Sequence, residues 1–215
     1  MIGSTEWLQD MEEHYGGFHN GVFRNNTSKS KPLLDKVNSN GHTGGDRMSK
    51  DHHNYAKHYE SHLSKFVKNR FKNYTIVECG ILKGTGLAIW STLFPNATII
   101  GLDIDLTNAN NNLEFLKSKG AFQSGVLELH EFDQFADNTR HIRDILKNKK
   151  IDIMIDDGFH SEFTILNTIN CVKPYLNNSF VYFVEDNKKV YKKIKQNMNN
   201  YNCVNYNRLS VIENE

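Results

Sequence analysis

The chain is poor in cysteine, has no long apolar run and carries no excess of either charge. Its three cysteines, Cys79, Cys171 and Cys203, are far apart and odd in number, which argues against a disulfide framework or a closely spaced zinc set. Cys79 and Cys171 sit among apolar residues and read as reduced core thiols of an intracellular protein. No stretch approaches the ~18 apolar residues of a membrane span. The first residues lack the charged-then-apolar layout of a signal peptide, so a cytoplasmic address is expected. With 26 Lys and Arg against 25 Asp and Glu, the net charge of +1 draws the chain to neither nucleic acid nor acidic membrane. The one basic cluster, over 188–193, reads as a solvated helix face.

At 215 residues the chain is long enough for one domain with a sizeable core. Residues 1–45 are polar and rich in Gly, Asn and Ser, and read as an N-terminal extension or lid. Only 6–13 hints at a helix there, and 25–46 reads as a loop. From 46 to 215 the pattern is that of a single domain. A helix over 50–70 carries Tyr55, Tyr59, Leu63, Phe66 and Val67 near a 3.6-residue period. Strands follow at 75–79, 98–103, 126–132, 151–156 and 180–185. They alternate with helices at 84–94, 111–119, 137–148, 162–176 and 187–198. Segments 201–205 and 209–213 flank a polar turn and read as an antiparallel hairpin. This alternation predicts an α/β, Rossmann-like doubly wound sheet, mostly parallel, with helices on both faces. Trp90 and Phe94 read as helix-to-sheet core.

Two apolar runs end in acids. One is Ile151-Asp152-Ile153-Met154-Ile155-Asp156-Asp157-Gly158-Phe159-His160, the other Phe180-Val181-Tyr182-Phe183-Val184-Glu185-Asp186. With a helix between them they form a βαβ unit, which brings both C-terminal ends to the ligand-binding edge of the sheet. Asp157, Glu185, Asp186 and His160 then share one cleft. Three carboxylates and an imidazole suit a hard divalent cation beside a base. Strand alternation sends Asp156 and Asp157 to opposite sides, so one of the two only caps or supports.

The first strand leads into Glu78-Cys79-Gly80-Ile81-Leu82-Lys83-Gly84-Thr85-Gly86. Its glycines permit a tight turn and close backbone approach, and the following helix N-terminus can hold an anion. The spacing matches neither a dinucleotide fingerprint nor a P-loop. Glu78 would repel phosphate and suits a cationic group such as an amino acid's amine. The second strand ends at Asp103, placed to accept from ribose hydroxyls. The third leads to Asp133 and Gln134, which face the same crevice and could equally be helix-start residues. Each feature alone also fits a structural turn or cap. In this order, in the first βαβ unit, they favour a nucleoside carrying a positive group, a description that S-adenosylmethionine fits. His58 and His62 stand four apart on one helix, as zinc ligands can, but no third ligand accompanies them, and a polar helix face is the simpler reading.

From about residue 44 to 186 the chain resembles the class I S-adenosylmethionine-dependent methyltransferases. More narrowly, it is similar to the metal-dependent sugar O-methyltransferases of macrolide biosynthesis, the mycinamicin and macrocin type, which share a superfamily with cephalosporin-hydroxylase-like proteins. Gly45-Asp46-Arg47, His53-Asn54-Tyr55 and His58-Tyr59-Glu60 are similar to that family's leading segment. Glu78-Cys79-Gly80 through Trp90, Gly101-Leu102-Asp103-Ile104-Asp105 and Asp133-Gln134 are similar to its cofactor region. Asp156-Asp157-Gly158-Phe159-His160 with Glu185-Asp186 is the most specific match.

The resemblance implies Mg²⁺ (or Mn²⁺) ligands at Asp157, Glu185 and Asp186, and a base at His160. The preference for Asp157 over Asp156 as metal ligand rests on it alone. S-adenosylmethionine contacts are expected at Glu78, Gly80, Gly84, Thr85, Asp103, Asp133, Gln134 and Asp156. The chain departs from the pattern at Gly45 (Thr), Arg47 (Lys), Phe159 (Ser) and Asn177-Asn178-Ser179 (a Gly-Gly turn). The resemblance does not extend to the macrolide enzymes' long N-terminal extension, so their substrate pocket and oligomer contacts are not carried over. The expected activity is O-methylation of a sugar or other vicinal diol, on a small-molecule or glycan-precursor acceptor. A catechol-like acceptor and a catalytically silent nucleoside-binding homologue are the alternatives. Family members are often oligomeric, so a homo-oligomer is expected.

Overall fold

The computed structural model describes residues 1–16, 46–50 and 52–214. The expected loop over 25–46 therefore lies almost wholly outside the described residues. Seven strands form one sheet in the order β3-β2-β1-β4-β5-β7-β6. β1 (Thr75–Cys79), β2 (Thr98–Asp103), β3 (Val126–Glu131), β4 (Ile151–Asp156) and β5 (Leu176–Val184) run parallel. β7 (Leu209–Glu213) returns antiparallel beside β5 and pairs with the edge strand β6 (Asn202–Tyr206). The parallel strands are linked by α3 (Thr85–Leu93), α4 (Thr107–Ser118), α5 (Thr139–Leu146) and α6 (Glu162–Val172). α1 (Thr5–Tyr15) and α2 (Ala56–Val67) precede them, and α7 (Tyr191–Asn197) follows β5.

Central strands buried on both faces read as continuous apolar runs, and β1 and β4 are buried throughout. Their side chains alternate between two cores. Ile76, Ile99, Ile153 and Phe183 pack under α1 to α4, with Trp90 and Phe94 fully buried among them. Val77, Ile100, Met154 and Tyr182 pack on the opposite face with α5, α6 and α7. The edge strand β3 is only half-buried.

The element order matches the sequence reading, and the boundaries shift for local reasons. α4 begins four residues before the expected 111. Its buried side carries Asn108 and Asn112, and Asn112 Nδ2 donates to the Lys83 carbonyl at 2.9 Å, so hydropathy hid the first turn. The helix expected over 162–176 ends at Val172 and tightens into a 3₁₀ turn, Lys173–Tyr175, around Pro174. α7 begins at Tyr191 because Asn187 Oδ1 first accepts from the Lys189 and Val190 amides in a turn. The His58–His62 pair is structural. His62 bonds Tyr206 Oη (3.0 Å) and Glu213 (3.2 Å), and the His58 ring stacks on Tyr206 at 3.8 Å, clamping α2 to the C-terminal hairpin.

α1 packs on α2 and α3. Its buried Glu12 accepts from the Met48 and Ser49 amides at 2.7 and 2.9 Å, fixing the backbone that directly follows Arg47. Burial raises the Glu12 carboxyl to about 7. A carboxyl whose folded value is raised binds an extra proton in the folded state. Its contribution is therefore fullest at low pH and is lost as pH rises from the unfolded value to about 7. Glu12→Gln keeps an acceptor without the charge. It is expected to melt like the parent near pH 5 and to gain up to about 3 kcal/mol relative to it by pH 8. Denaturant melts at the two pH values check this, and parallel pH profiles would contradict it.

Candidate active site

The C-terminal ends of β1, β2, β4 and β5 open onto a cavity of about 370 Å³, within the range of small-ligand sites. Adjacent loops continue the sheet's hydrogen bonding: Gly80 N–H donates to Leu102 O, Asp157 N–H to Cys79 O, and Glu185 N–H to Asp156 O. This lacing sets both acidic strand ends beside the glycine loop. Gly80 has φ +84°, and a Cβ there would meet the Asp157 carbonyl at 2.1 Å, so no other residue permits this approach.

The glycine-loop half of the cavity is organised by Asp103. Its Oδ2 accepts from the Ile81 and Leu82 amides at 2.9 and 3.0 Å, so the acid shapes the glycine loop that lines the cavity with it. Burial raises its pKa and these backbone donors pull it back. Asp133 and Gln134 also line the cavity. The Gln134 amide is committed to the protein at both ends: Nε2 donates to Asp156 Oδ1 and Thr168 Oγ1, each at 2.9 Å, and Oε1 accepts from the Phe159 amide at 2.8 Å. It braces the β4–α6 turn, a role its sequence position did not reveal.

Asp156 and Asp157 part as strand alternation requires. Asp156 is buried behind the cavity, held by Gln134 and Tyr182, and burial raises it to about 6. Asp157 lines the cavity, and burial raises it to about 8 while Arg47 opposes the shift. Its side chain still keeps 27% of its surface open. Asp157, His160 and Asp186 bring ligand atoms within 4.8 Å of one another. His160 Nε2 lies 3.8 Å from Asp157 Oδ1. Leu82, His160 and Asp186 all line the cavity with φ between +43° and +59°, a region costly for non-glycine residues. Such outliers concentrate at functional sites, where the surrounding structure holds them. At His160 the hold is Asn187 Nδ2, donating to its carbonyl at 2.8 Å.

Glu185 also lines the cavity, but its carboxylate oxygens are held by other partners. Arg47 Nε sits 2.8 Å from its Oε1 and 3.0 Å from its Oε2, and the Tyr59 hydroxyl donates to Oε1. Burial drives the Glu185 carboxyl well above the ordinary range. The buried Arg47 also bonds Glu78 Oε1 at 2.8 Å and Asp157 Oδ2 at 3.0 Å, with its guanidinium 5.8 Å from the Trp90 ring centroid. Glu78 lies behind the cavity wall, taking a second bond from Trp90 Nε1 at 2.6 Å. Gly86 leaves room for this pair: a Cβ there would meet Glu78 Oε1 at 2.3 Å and Arg47 at 2.7 Å. Gly84 and Thr85 open α3 but do not line the cavity. Tyr55 Oη (2.7 Å), His53 Nδ1 (3.3 Å) and Arg208 (3.2 Å) converge on Asp186 Oδ1.

Arg47, His53, Tyr55, Tyr59 and Arg208 thus surround the acids. The first four stand in the segment that the resemblance covers, and Tyr55 and Tyr59 also fall on the helical period read over 50–70. Arg208 occupies a hairpin turn, with no local signal.

This strand order and cavity define a Rossmann-like fold of the type found in methyltransferases. No protein-family profile matches the chain, and no curated protein matches it by sequence. Among solved structures it is similar to MycE methyltransferase of the mycinamycin biosynthetic pathway in complex with Mg, SAH and mycinamycin VI. That match has TM-score 0.60 and 16% identity over 78% of this chain and 50% of the other. A second MycE structure, with Mg and SAH, matches at TM-score 0.59 and 15% identity, over 79% of this chain and 52% of that one. TrmN from Thermus thermophilus matches at TM-score 0.54 and 12% identity, over 73% and 48%. The chain thus spans about half the length of these structures. Among the described residues no helix is long and apolar enough to cross a membrane.

Proposed function

We propose that the protein is an S-adenosylmethionine-dependent O-methyltransferase that uses Mg²⁺ or Mn²⁺ and methylates one hydroxyl of a sugar or other vicinal diol. One observation carries the reading. A single cavity joins a glycine loop organised by Asp103 to the Asp157, His160 and Asp186 cluster. The likeness to MycE, solved with Mg and SAH, supports the same chemistry. Three free thiols suit a cytoplasmic setting.

The residues fit a divalent cation: the two carboxylates of the close group suffice for an ion that keeps several waters. When bound, the ion would lower the pKa of a hydroxyl it holds. Asp157 and Asp186 would hold it. His160 would take the proton of the acceptor hydroxyl, and S-adenosylmethionine, when bound, would supply the methyl group to that oxygen and depart as the thioether. The cavity walls would align acceptor and methyl donor.

A catechol-like acceptor is the second reading, favoured by aromatic rings at the cavity. Phe135 and Phe159 line it with ring centroids 4.9 Å apart, edge to face, and the exposed Phe163 stacks on Phe135 at 6.0 Å. Calorimetric titration with S-adenosylmethionine, with and without Mg²⁺, tests the cofactor. Micromolar binding is expected, and no binding in either condition would overturn the reading. Screening sugars and catechols for release of S-adenosylhomocysteine then separates the two acceptors. Binding without turnover on either would leave the silent homologue.

A further inference from the structure

We infer that the divalent cation of the proposed reaction is held by Asp157 and Asp186 beside His160, and that Arg47 and Tyr59 keep Glu185 out of its coordination shell. This deepens the proposed function and rests on it. The resemblance implies a metal set of Asp157, Glu185 and Asp186, whereas the close group is Asp157, His160 and Asp186.

Glu185 borders the cavity, but it is only 2% exposed and its oxygens already have partners. Arg47 Nε reaches Oε1 and Oε2 at 2.8 and 3.0 Å, and Tyr59 donates to Oε1. Tyr59 is itself wedged between Phe183 and Trp90, with centroids 4.0 and 5.4 Å away, so it cannot swing aside without opening the core. For Glu185 to turn to an ion, a buried charge-assisted pair must break, leaving the guanidinium short of one acceptor.

The same guanidinium orders the ligands that remain. Arg47 bonds Asp157 through Oδ2, while Oδ1 is the oxygen 3.8 Å from His160 Nε2. The contacts of Tyr55, His53 and Arg208 fall on Asp186 Oδ1, leaving Oδ2 without one of them. Each carboxylate is thus anchored by one oxygen and offers the other. Arg47 is a positioning residue: it holds Asp157 in place for the ion and retains Glu185 as its own counter-charge. With two protein carboxylates rather than three, the ion keeps more positions for water and acceptor hydroxyls.

The test is calorimetry with Mn²⁺ on the full chain. Glu185→Gln, which can still accept from Arg47 or Tyr59, is expected to change Mn²⁺ affinity by less than about threefold. Asp157→Asn and Asp186→Asn are expected to lose at least about tenfold. A loss in Glu185→Gln equal to that in Asp186→Asn would overturn the inference and leave the methyltransferase reading standing. No Mn²⁺ binding by the parent would overturn both the inference and the metal part of that reading. Should Glu185→Gln fail to fold, Mn²⁺ soaked into crystals of the unaltered protein decides the matter. An anomalous peak on Asp157 and Asp186 with Glu185 still on Arg47 supports the inference, and a peak coordinated by Glu185 overturns it.

Discussion

Replacing Arg47 with methionine is expected to cost about 3–5 kcal/mol, the usual penalty for removing one partner of a buried ion pair. In a domain of this size that is a fall of roughly 6–20 °C in the thermal midpoint. The magnitude follows from what is left behind. Glu78 and Glu185 are each 2% exposed, and the guanidinium is their shared cation. Trp90 and Tyr59 each supply one neutral bond, which cannot balance two buried charges. The pH dependence has a definite sign. Burial already raises Glu185 and Asp157, and loss of Arg47 removes the influence that lowers both. Protonation relieves the unpaired charge, so the deficit shrinks as pH falls and keeps growing as pH rises past the parent's Asp157 value of about 8. Arg47→Met with Glu78→Gln should recover part of the loss. A midpoint within about 3 °C of the parent would show that the cluster does not need its cation.

The second large effect concerns turnover. His160→Asn is expected to lower kcat by roughly 10²–10⁴-fold on the acceptor found by the screen, the range for removing a general base. Asparagine tolerates positive φ, so the φ of +59° at this position is preserved and the comparison isolates the imidazole. Affinity for S-adenosylmethionine should stay within about threefold, because His160 stands at the acid cluster and not at the glycine loop. Turnover within tenfold of the parent would remove His160 from that role.

Much of the frame was legible because it rests on local chemistry. The runs 75–79, 98–103 and 151–156 coincide with β1, β2 and β4, since a strand buried on both faces must be apolar along its length. The acids after β4 and β5 were brought to one edge by the handedness of the βαβ connection. Helix ends were less legible. Buried asparagines disguised the start of α4, and the 3₁₀ turn at Pro174 cut α6 short.

By itself, the sequence determined the alternation of strands and helices, the parallel sheet with its terminal hairpin, and the edge at which function must lie. Periodicity and chain handedness act through near neighbours, so these features are written residue by residue. Only the tertiary structure decided what each acid does there. Arg47 precedes Glu78 by 31 positions, Asp157 by 110 and Glu185 by 138, and no pattern in the chain announces that one guanidinium will meet all three. Whether a carboxylate faces a cavity or a buried cation depends on which side chains arrive from distant segments. That choice is settled by packing and desolvation of the folded molecule as a whole.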